Sequence, residues 1–279
     1  MQPEYLAMTG SRLYGYSTTT SDYDYRGFYI PEKRNLFGLP GLPANNIEGP
    51  GDTVIYPLKD FLFNIANGNT SLCEILFTPK DQVKTITKIG EHVLFNKYML
   101  LSKKFYKSIR GYAYAELRKA KCIELVENKA DNRVKKMVEF CSAFNLDGNE
   151  RLDVIDIIQK STPDFQPFAE TSSINTLGGK RKASYEQHGY CTKNAAHCIR
   201  LLLEGHELLT NGKITFPLSY ADILKDIRDG KKDIDSIEGL YKELDVILTK
   251  AYESSSLPDS PNFDQIYDLY FECLKMKGY

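Results

Sequence analysis

The sequence has no tryptophan and no C-x-x-C pair. It also has no apolar run close to the roughly 20 residues that span a bilayer, which excludes a helical membrane protein. It lacks an excess of either charge: 36 Lys and Arg face 37 Asp and Glu, for a net charge of -1 at pH 7. A protein that holds nucleic acid by bulk positive charge is thereby excluded. The six cysteines (Cys73, Cys122, Cys141, Cys191, Cys198 and Cys273) are dispersed, and the opening MQPEYLAMTG has no basic region leading into an apolar one. Reduced thiols and a cytoplasmic location are expected. His188, Cys191, His197 and Cys198 cluster in sequence, but their spacing fits no standard zinc framework. The two cysteines read instead as small buried hydrophobes on a helix.

What is present suits a folded chain. With 42% hydrophobic residues, 14 Phe and 19 Tyr, general disorder is excluded, and 279 residues allow one or two domains. The balanced charge is also uneven along the chain. Residues 80–140 carry 15 basic and 7 acidic side chains, whereas residues 204–279 carry 9 and 15. A neutral total hides a basic middle and an acidic end.

Local pattern divides the chain near residue 80. Tyr5–Thr9 reads as a short strand that opens the fold and ends at Gly10. Asp22–Ile30 alternates and reads as a second strand, Pro31–Gly51 as a loop, and Thr53–Pro57 as a third strand. Leu58–Asn67 reads as a helix closed by Gly68, and Ser71 with Glu74 has the spacing of a capping box. Beyond residue 80 the period becomes helical. Asp81 is placed to cap a helix over Gln82–Leu94, and Lys97–Glu127 reads as one long helix. Residues 161–189 hold prolines, a Gly-Gly pair and Lys180-Arg181-Lys182, and read as a mobile basic loop. Thr192–Thr210 and the segments after it are helical. The expected fold is α+β: a small mixed-sheet domain over 1–80, then an all-helical domain over 81–279.

The chemistry concentrates in Gly10-Ser11-Arg12-Leu13-Tyr14-Gly15 and Ser21-Asp22-Tyr23-Asp24-Tyr25-Arg26-Gly27. Asp22 and Asp24 are one residue apart on an expected strand, so period-two alternation puts both carboxylates on one face. Two like charges so close call for a cation between them, and oxygen ligands suit Mg²⁺. Arg26 falls on the same face, while Tyr23 and Tyr25 point the other way, toward a core. Gly10 lets backbone approach a phosphate, Ser11 adds a hydroxyl, and a helix start there favours an anion. A phosphate cradle beside a carboxylate pair describes a site for a metal-chelated nucleoside triphosphate.

This order of motifs resembles the signature of the DNA polymerase β nucleotidyltransferase superfamily. More closely, the two stretches resemble the nucleotidyltransferases associated with RNA repair in bacteria and phages. Similarity extends to Asp52-Thr-Val-Ile-Tyr-Pro-Leu-Lys59, Gly68-Asn69, Glu74-Ile-Leu-Phe77, Gly111-Tyr112-Ala113, Lys193-Asn-Ala-Ala-His197-Cys-Ile-Arg200 and Ser256-Leu-Pro258. The resemblance implies a polymerase β-like palm, an NTP substrate and two Mg²⁺ ions held by Asp22, Asp24 and a third carboxylate. Asp52 is the best match for the third, with Glu48 the competitor. Glu74 is set aside because its capping-box position gives it a structural reason. The implied activity moves a nucleoside monophosphate to a hydroxyl, with an RNA 3′ end such as that of a tRNA as the leading acceptor. A partner protein's hydroxyl is the alternative acceptor, and a silent nucleotide- or RNA-binding module the alternative class.

Two groups of basic residues complete the reading. Lys193, His197 and Arg200 recur at one helical face, and the resemblance adds them to Gly10, Ser11, Arg12 and Arg26 as nucleotide contacts. Lys103, Lys104, Lys107 and Arg110, with Lys180, Arg181 and Lys182, form a candidate track for a polyanionic acceptor. The competing reading of both groups is a solvated face with i,i+4 pairing.

Overall fold

A computed structural model describes residues 2–19, 21–37, 46–49, 51–127, 132–144, 148–162, 164–165, 168–172 and 178–279. The chain starts as strand β1 (Tyr5–Thr9), a one-turn helix α1 (Ser11–Tyr14) and strand β2 (Asp24–Tyr29). A short helix α2 (Lys33–Phe37) and strand β3 (Ile47–Gly49) follow within the segment expected to be loop; residues 38–45 and 50 of that segment lie outside the described residues. Next come β4 (Asp52–Pro57), α3 (Leu58–Ala66), α4 (Thr70–Cys73) and β5 (Val83–Ile86). These five strands form one mixed sheet in the order β3-β4-β2-β1-β5, with β2 and β4 parallel and the other pairs antiparallel.

Strand β5 corrects the helix expected from Gln82. Val83-Lys-Thr-Ile86 alternates, and β1 has a free edge on that side, so Ile86 pairs with Tyr5 and Thr85 with Leu6. Ladder bonds at an otherwise open edge outweigh the helical pattern of the local sequence. The helix begins later, as α5 (Lys88–Phe95), where the Thr87 hydroxyl accepts from the Gly90 backbone N–H at 3.3 Å.

One face of the sheet packs its aromatic centre against α3. Tyr5, Phe28 and Phe61 are fully buried, the Phe28 and Phe61 rings stand 4.7 Å apart, and the Tyr5 hydroxyl donates to the Ile75 carbonyl at 2.7 Å. The other face buries Leu6, Tyr29 and Ile55, with Tyr25 and Ile47 against them. Tyr25 thus points toward a core as expected. Tyr23 does not: it is 53% exposed and lies under the Arg12 guanidinium, 3.8 Å from the ring centre.

The long helix expected over Lys97–Glu127 is shorter. A 3₁₀ turn spans Lys97–Leu100, α6 runs Lys104–Ala120, and Ile123–Glu127 is strand β6. After α7 (Asn132–Ala143) and α8 (Gly148–Ser161), strand β7 (Phe168–Ser172) pairs antiparallel with β6. The region beyond residue 80 is therefore mostly but not wholly helical. Lys180, Arg181 and Lys182 lie in helix α9 (Gly179–His188), not in a loop. The Pro163 and Pro167 positions and the Thr/Ser/Asn stretch at 173–177 fall outside the described residues. Helices α10 (Thr192–Asn211), α11 (Ala221–Arg228), α12 (Ile234–Ser254) and α13 (Phe263–Met276) complete the fold.

The chain forms two compact units, residues 1–117 with 192–279, and residues 118–191. The boundary expected near residue 80 falls inside the first unit, so the sheet, most of α6 and helices α10 to α13 belong together. Among the described residues no helix is long and apolar enough to cross a membrane. All six cysteines are buried; of the two read as small buried hydrophobes on a helix, Cys198 lies on α10 and Cys191 directly before it.

Candidate active site

Gly10 ends β1 with φ +76°, a backbone state that side-chain-bearing residues rarely adopt. A Cβ there would run into the Asp24 carboxylate. Thr9 and Asp24 are direct partners across β1 and β2, so the glycine and the carboxylate meet at one end of the sheet. The turn that follows is tight: Gly15, with φ +89°, closes α1 after four residues. The anion-favouring dipole expected at Ser11 is therefore that of a single turn.

The register places the carboxylates. Asp24 and Asp52 are direct partners on the parallel strands β2 and β4. Burial, then the Asp52 charge, pushes the Asp24 carboxyl above the usual range, against a lowering pull from Arg26. Asp22 also raises it and Lys193 lowers it, which puts Lys193, on the first turn of α10, within electrostatic reach of this carboxylate. Asp22 itself is exposed and lies just before β2 rather than on it. The strand alternation expected to align Asp22 with Asp24 therefore does not operate. Glu48 sits exposed on β3, opposite Val54. Of the two candidates for a third carboxylate, Asp52 is the one beside Asp24.

Two arginines organise this end of the sheet. Arg12 donates to the Ser21 carbonyl at 2.7 Å and to the Asp22 carbonyl at 3.3 Å, holding the turn that presents Asp22. Arg26 reaches both Asp52 carboxylate oxygens at 3.2 Å and the Asp52 carbonyl at 2.5 Å. Its positive charge lies against the Asp52 carboxylate. Among the described residues no group of three or more His, Cys, Asp or Glu is gathered closely enough to hold a metal ion. The donors are nonetheless all carboxylate oxygens, and their mutual repulsion is what a hard divalent cation relieves, so the chemistry of the set fits Mg²⁺.

The other expected nucleotide contacts separate on inspection. Arg200 is 4% exposed and donates to Glu74 at 2.6 Å and to Glu204 at 2.7 and 2.8 Å. It faces inward, away from any solvent-borne phosphate. Glu74 takes no part in a capping box: Asn69 caps α4 by accepting from the Leu72 N–H at 3.1 Å, and Glu74 is fully buried. His197 is 3.3 Å from Glu116, and its other ring nitrogen is buried without a partner among the described residues. Burial holds its pKa below the usual histidine value, against a raising pull from Glu116. Lys193 alone of the three is exposed and electrostatically linked to Asp24.

Two residues of the candidate acceptor track, Lys103 and Arg110, are paired with carboxylates. Arg110 makes a bidentate pair with Asp245 at 2.6 and 2.9 Å, and Lys103 sits 3.5 Å from Asp259. Lys104 lies over the Phe263 ring, and Lys107 is exposed. The acidic C-terminal quarter thus packs on the basic stripe of α6. Lys180, Arg181 and Lys182 belong to the other compact unit.

A family model described as RlaP, the RNA repair pathway DNA polymerase beta family, matches residues 4–255. The chain belongs to this family. No curated protein and no solved structure matches it. Membership in RlaP makes the chain a DNA polymerase beta family protein of an RNA repair pathway. The match reaches through α10, so Lys193, His197 and Arg200 fall within the RlaP region as well.

Proposed function

We propose that the protein is a Mg²⁺-dependent nucleotidyltransferase that moves a nucleoside monophosphate from an NTP to the 3′ hydroxyl of an RNA, a tRNA being the leading acceptor. The observation that carries this reading is the contact of Gly10 with the Asp24 carboxylate, beside the Asp24–Asp52 pair. It sets a place where backbone approaches phosphate against a place where carboxylates accumulate.

In this reading Gly10 and Ser11 receive the β- and γ-phosphates, and Lys193 lies across from them as a cation. Asp22, Asp24 and Asp52 would hold Mg²⁺, which when bound neutralises phosphate charge and makes the acceptor hydroxyl more acidic. The acceptor hydroxyl gives its proton to solvent water and its oxygen attacks the α-phosphorus; the bond to the bridging β-phosphate oxygen breaks, and pyrophosphate leaves. Arg12 keeps Asp22 in place through its two backbone carbonyl bonds. Asp52 would hold the cation in place of Arg26, which would then be available to the nucleotide. Lys104, Lys107 and the α9 lysines and arginine contact the RNA backbone. No side chain serves as a covalent nucleophile.

The test is incubation with each α-labelled NTP, Mg²⁺, bulk tRNA and cell lysate. Label on RNA supports the proposal. Label on protein instead supports nucleotidylation of a partner, and no label under any condition overturns transferase activity.

A further inference from the structure

A buried polar cluster lies directly beneath the proposed phosphate turn. Tyr14, the last residue of the single turn that begins at Ser11, donates its hydroxyl to Glu74 at 2.5 Å. Glu74 receives Arg200 from α10 at 2.6 Å, and Arg200 also pairs with Glu204 one turn further along α10. The Arg200 guanidinium stacks over the Tyr14 ring, 4.2 Å from its centre. Tyr14 further packs on Tyr16 and Phe216, and its carbonyl accepts from the Leu218 N–H at 3.1 Å. Glu74, Arg200 and Glu204 are each at most 4% exposed.

Burying three charges is costly, and an apolar set of similar volume would pack as well. The cluster is therefore a poor device for stability alone, whereas buried ion pairs do fix one register among alternatives. Here two of the three elements it joins carry site residues. Helix α1 carries Ser11 three residues before Tyr14, and α10 carries Lys193 two turns before Arg200. We infer that Tyr14, Glu74 and Arg200 are positioning residues that set the separation between the Ser11 turn and Lys193, and so tune affinity for the triphosphate of the NTP. This rests on the nucleotidyltransferase reading above. The γ-phosphate takes no part in the breaking bond, so a shift in its contacts acts on ground-state and transition-state binding alike.

The test uses Tyr14→Phe, which removes one hydroxyl and keeps the ring contacts, with Glu204→Gln as a control that keeps the Tyr14–Glu74–Arg200 chain. Steady-state kinetics with varied NTP are measured on the full chain, beside thermal unfolding. The expected result for Tyr14→Phe is a KM raised at least fivefold with kcat within twofold, and a KM within twofold of wild type for Glu204→Gln. In a Lys193→Ala background the Tyr14→Phe effect shrinks to less than twofold, because the two residues act on one contact. An unchanged KM in Tyr14→Phe, or a fall in kcat alone that follows the folded fraction, overturns the inference. A wild-type protein that transfers no nucleotide fails the functional reading itself, a result recognised before any variant is compared.

Discussion

Asp24 and Asp52 face each other as direct partners on two parallel strands, and the first is pushed toward its neutral form by burial and by the charge of the second. A fold that sets two carboxylates side by side, with Arg26 bonded to Asp52 and Lys193 within electrostatic reach of Asp24, accepts a local destabilisation at that end of the sheet.

That relationship gives the first prediction. The raised Asp24 pKa means that the folded state binds this proton more tightly than the unfolded state. Its contribution to stability is present below the unfolded pKa and is lost as pH rises through the folded pKa. Asp24→Asn removes the ionised form, so in EDTA its Tm should equal or exceed that of wild type while turnover falls by orders of magnitude. Thermal unfolding and a transfer assay on the same preparation check both halves. A strongly lowered Tm would assign Asp24 to the core instead.

Arg26 and Mg²⁺ compete for Asp52 in this account. Arg26→Met should lower the Mg²⁺ concentration for half-maximal activity at least twofold, even if maximal activity drops. A Mg²⁺ titration decides it: an unchanged or raised midpoint contradicts the competition.

The buried cluster around Arg200 makes a stability prediction separate from catalysis. Arg200→Ala strands Glu74 and Glu204 without their cation. Removal of one partner from a buried pair costs about 3–5 kcal/mol, and a chain of this size should lose about 10 °C in Tm. Calorimetry measures it, and a loss under about 2 °C would show that the cluster takes in water and is not held as described.

His197 should make stability fall in mild acid. Its folded pKa lies below the ordinary value of 6.5 because of burial, against a raising pull from Glu116. The unfolded chain then binds more protons between the two values, so stability is full above pH 6.5 and declines as pH falls toward the folded pKa. In His197→Gln the fall in Tm between pH 7.5 and 5.5 should be smaller than in wild type. Equal slopes in the two proteins would remove His197 as the cause.

For the basic stripe, the pairing seen in the structure separates its members. Lys107→Glu should weaken RNA use and lower the slope of log affinity against log salt by about one phosphate contact. Arg110→Glu should mainly reduce stability, because it opposes Asp245 at close range. Equal effects of both on RNA use would mean that Arg110 leaves Asp245 on binding.

These features were legible to different degrees. Strand β1 was read over the same residues that form it, and β4 within one, because short apolar or β-branched runs stopped by Gly10 and followed by Leu58 are local signals. The Gly10-Ser11 turn was legible for the same reason, since only glycine suits φ +76°. Pairing between distant segments was not. Arg200 and Glu74 are 126 residues apart, and their face of α10 and the capping-box spacing each offered a sufficient local reading. The one usable hint was a glutamate inside Cys73-Glu-Ile-Leu-Phe77, where a charge amid hydrophobes needs a buried partner. Strand β5 did carry its alternation in Val83-Lys-Thr-Ile86, but choosing it over a helix needed the free edge of β1. Asp22 fell outside β2 because Arg12 holds residues 21 and 22 in a turn, an interaction no periodicity encodes.

The central claim is transfer of the α-phosphoryl nucleotide by a carboxylate-held metal. Its most direct measurement follows one NTP labelled at either the α- or the γ-phosphate, with RNA and Mg²⁺, using wild type and Asp24→Asn. The account predicts that α-label joins the RNA, γ-label leaves as pyrophosphate, and both events vanish in EDTA and in Asp24→Asn. Retention of γ-label on the acceptor, or undiminished transfer by Asp24→Asn, would contradict it.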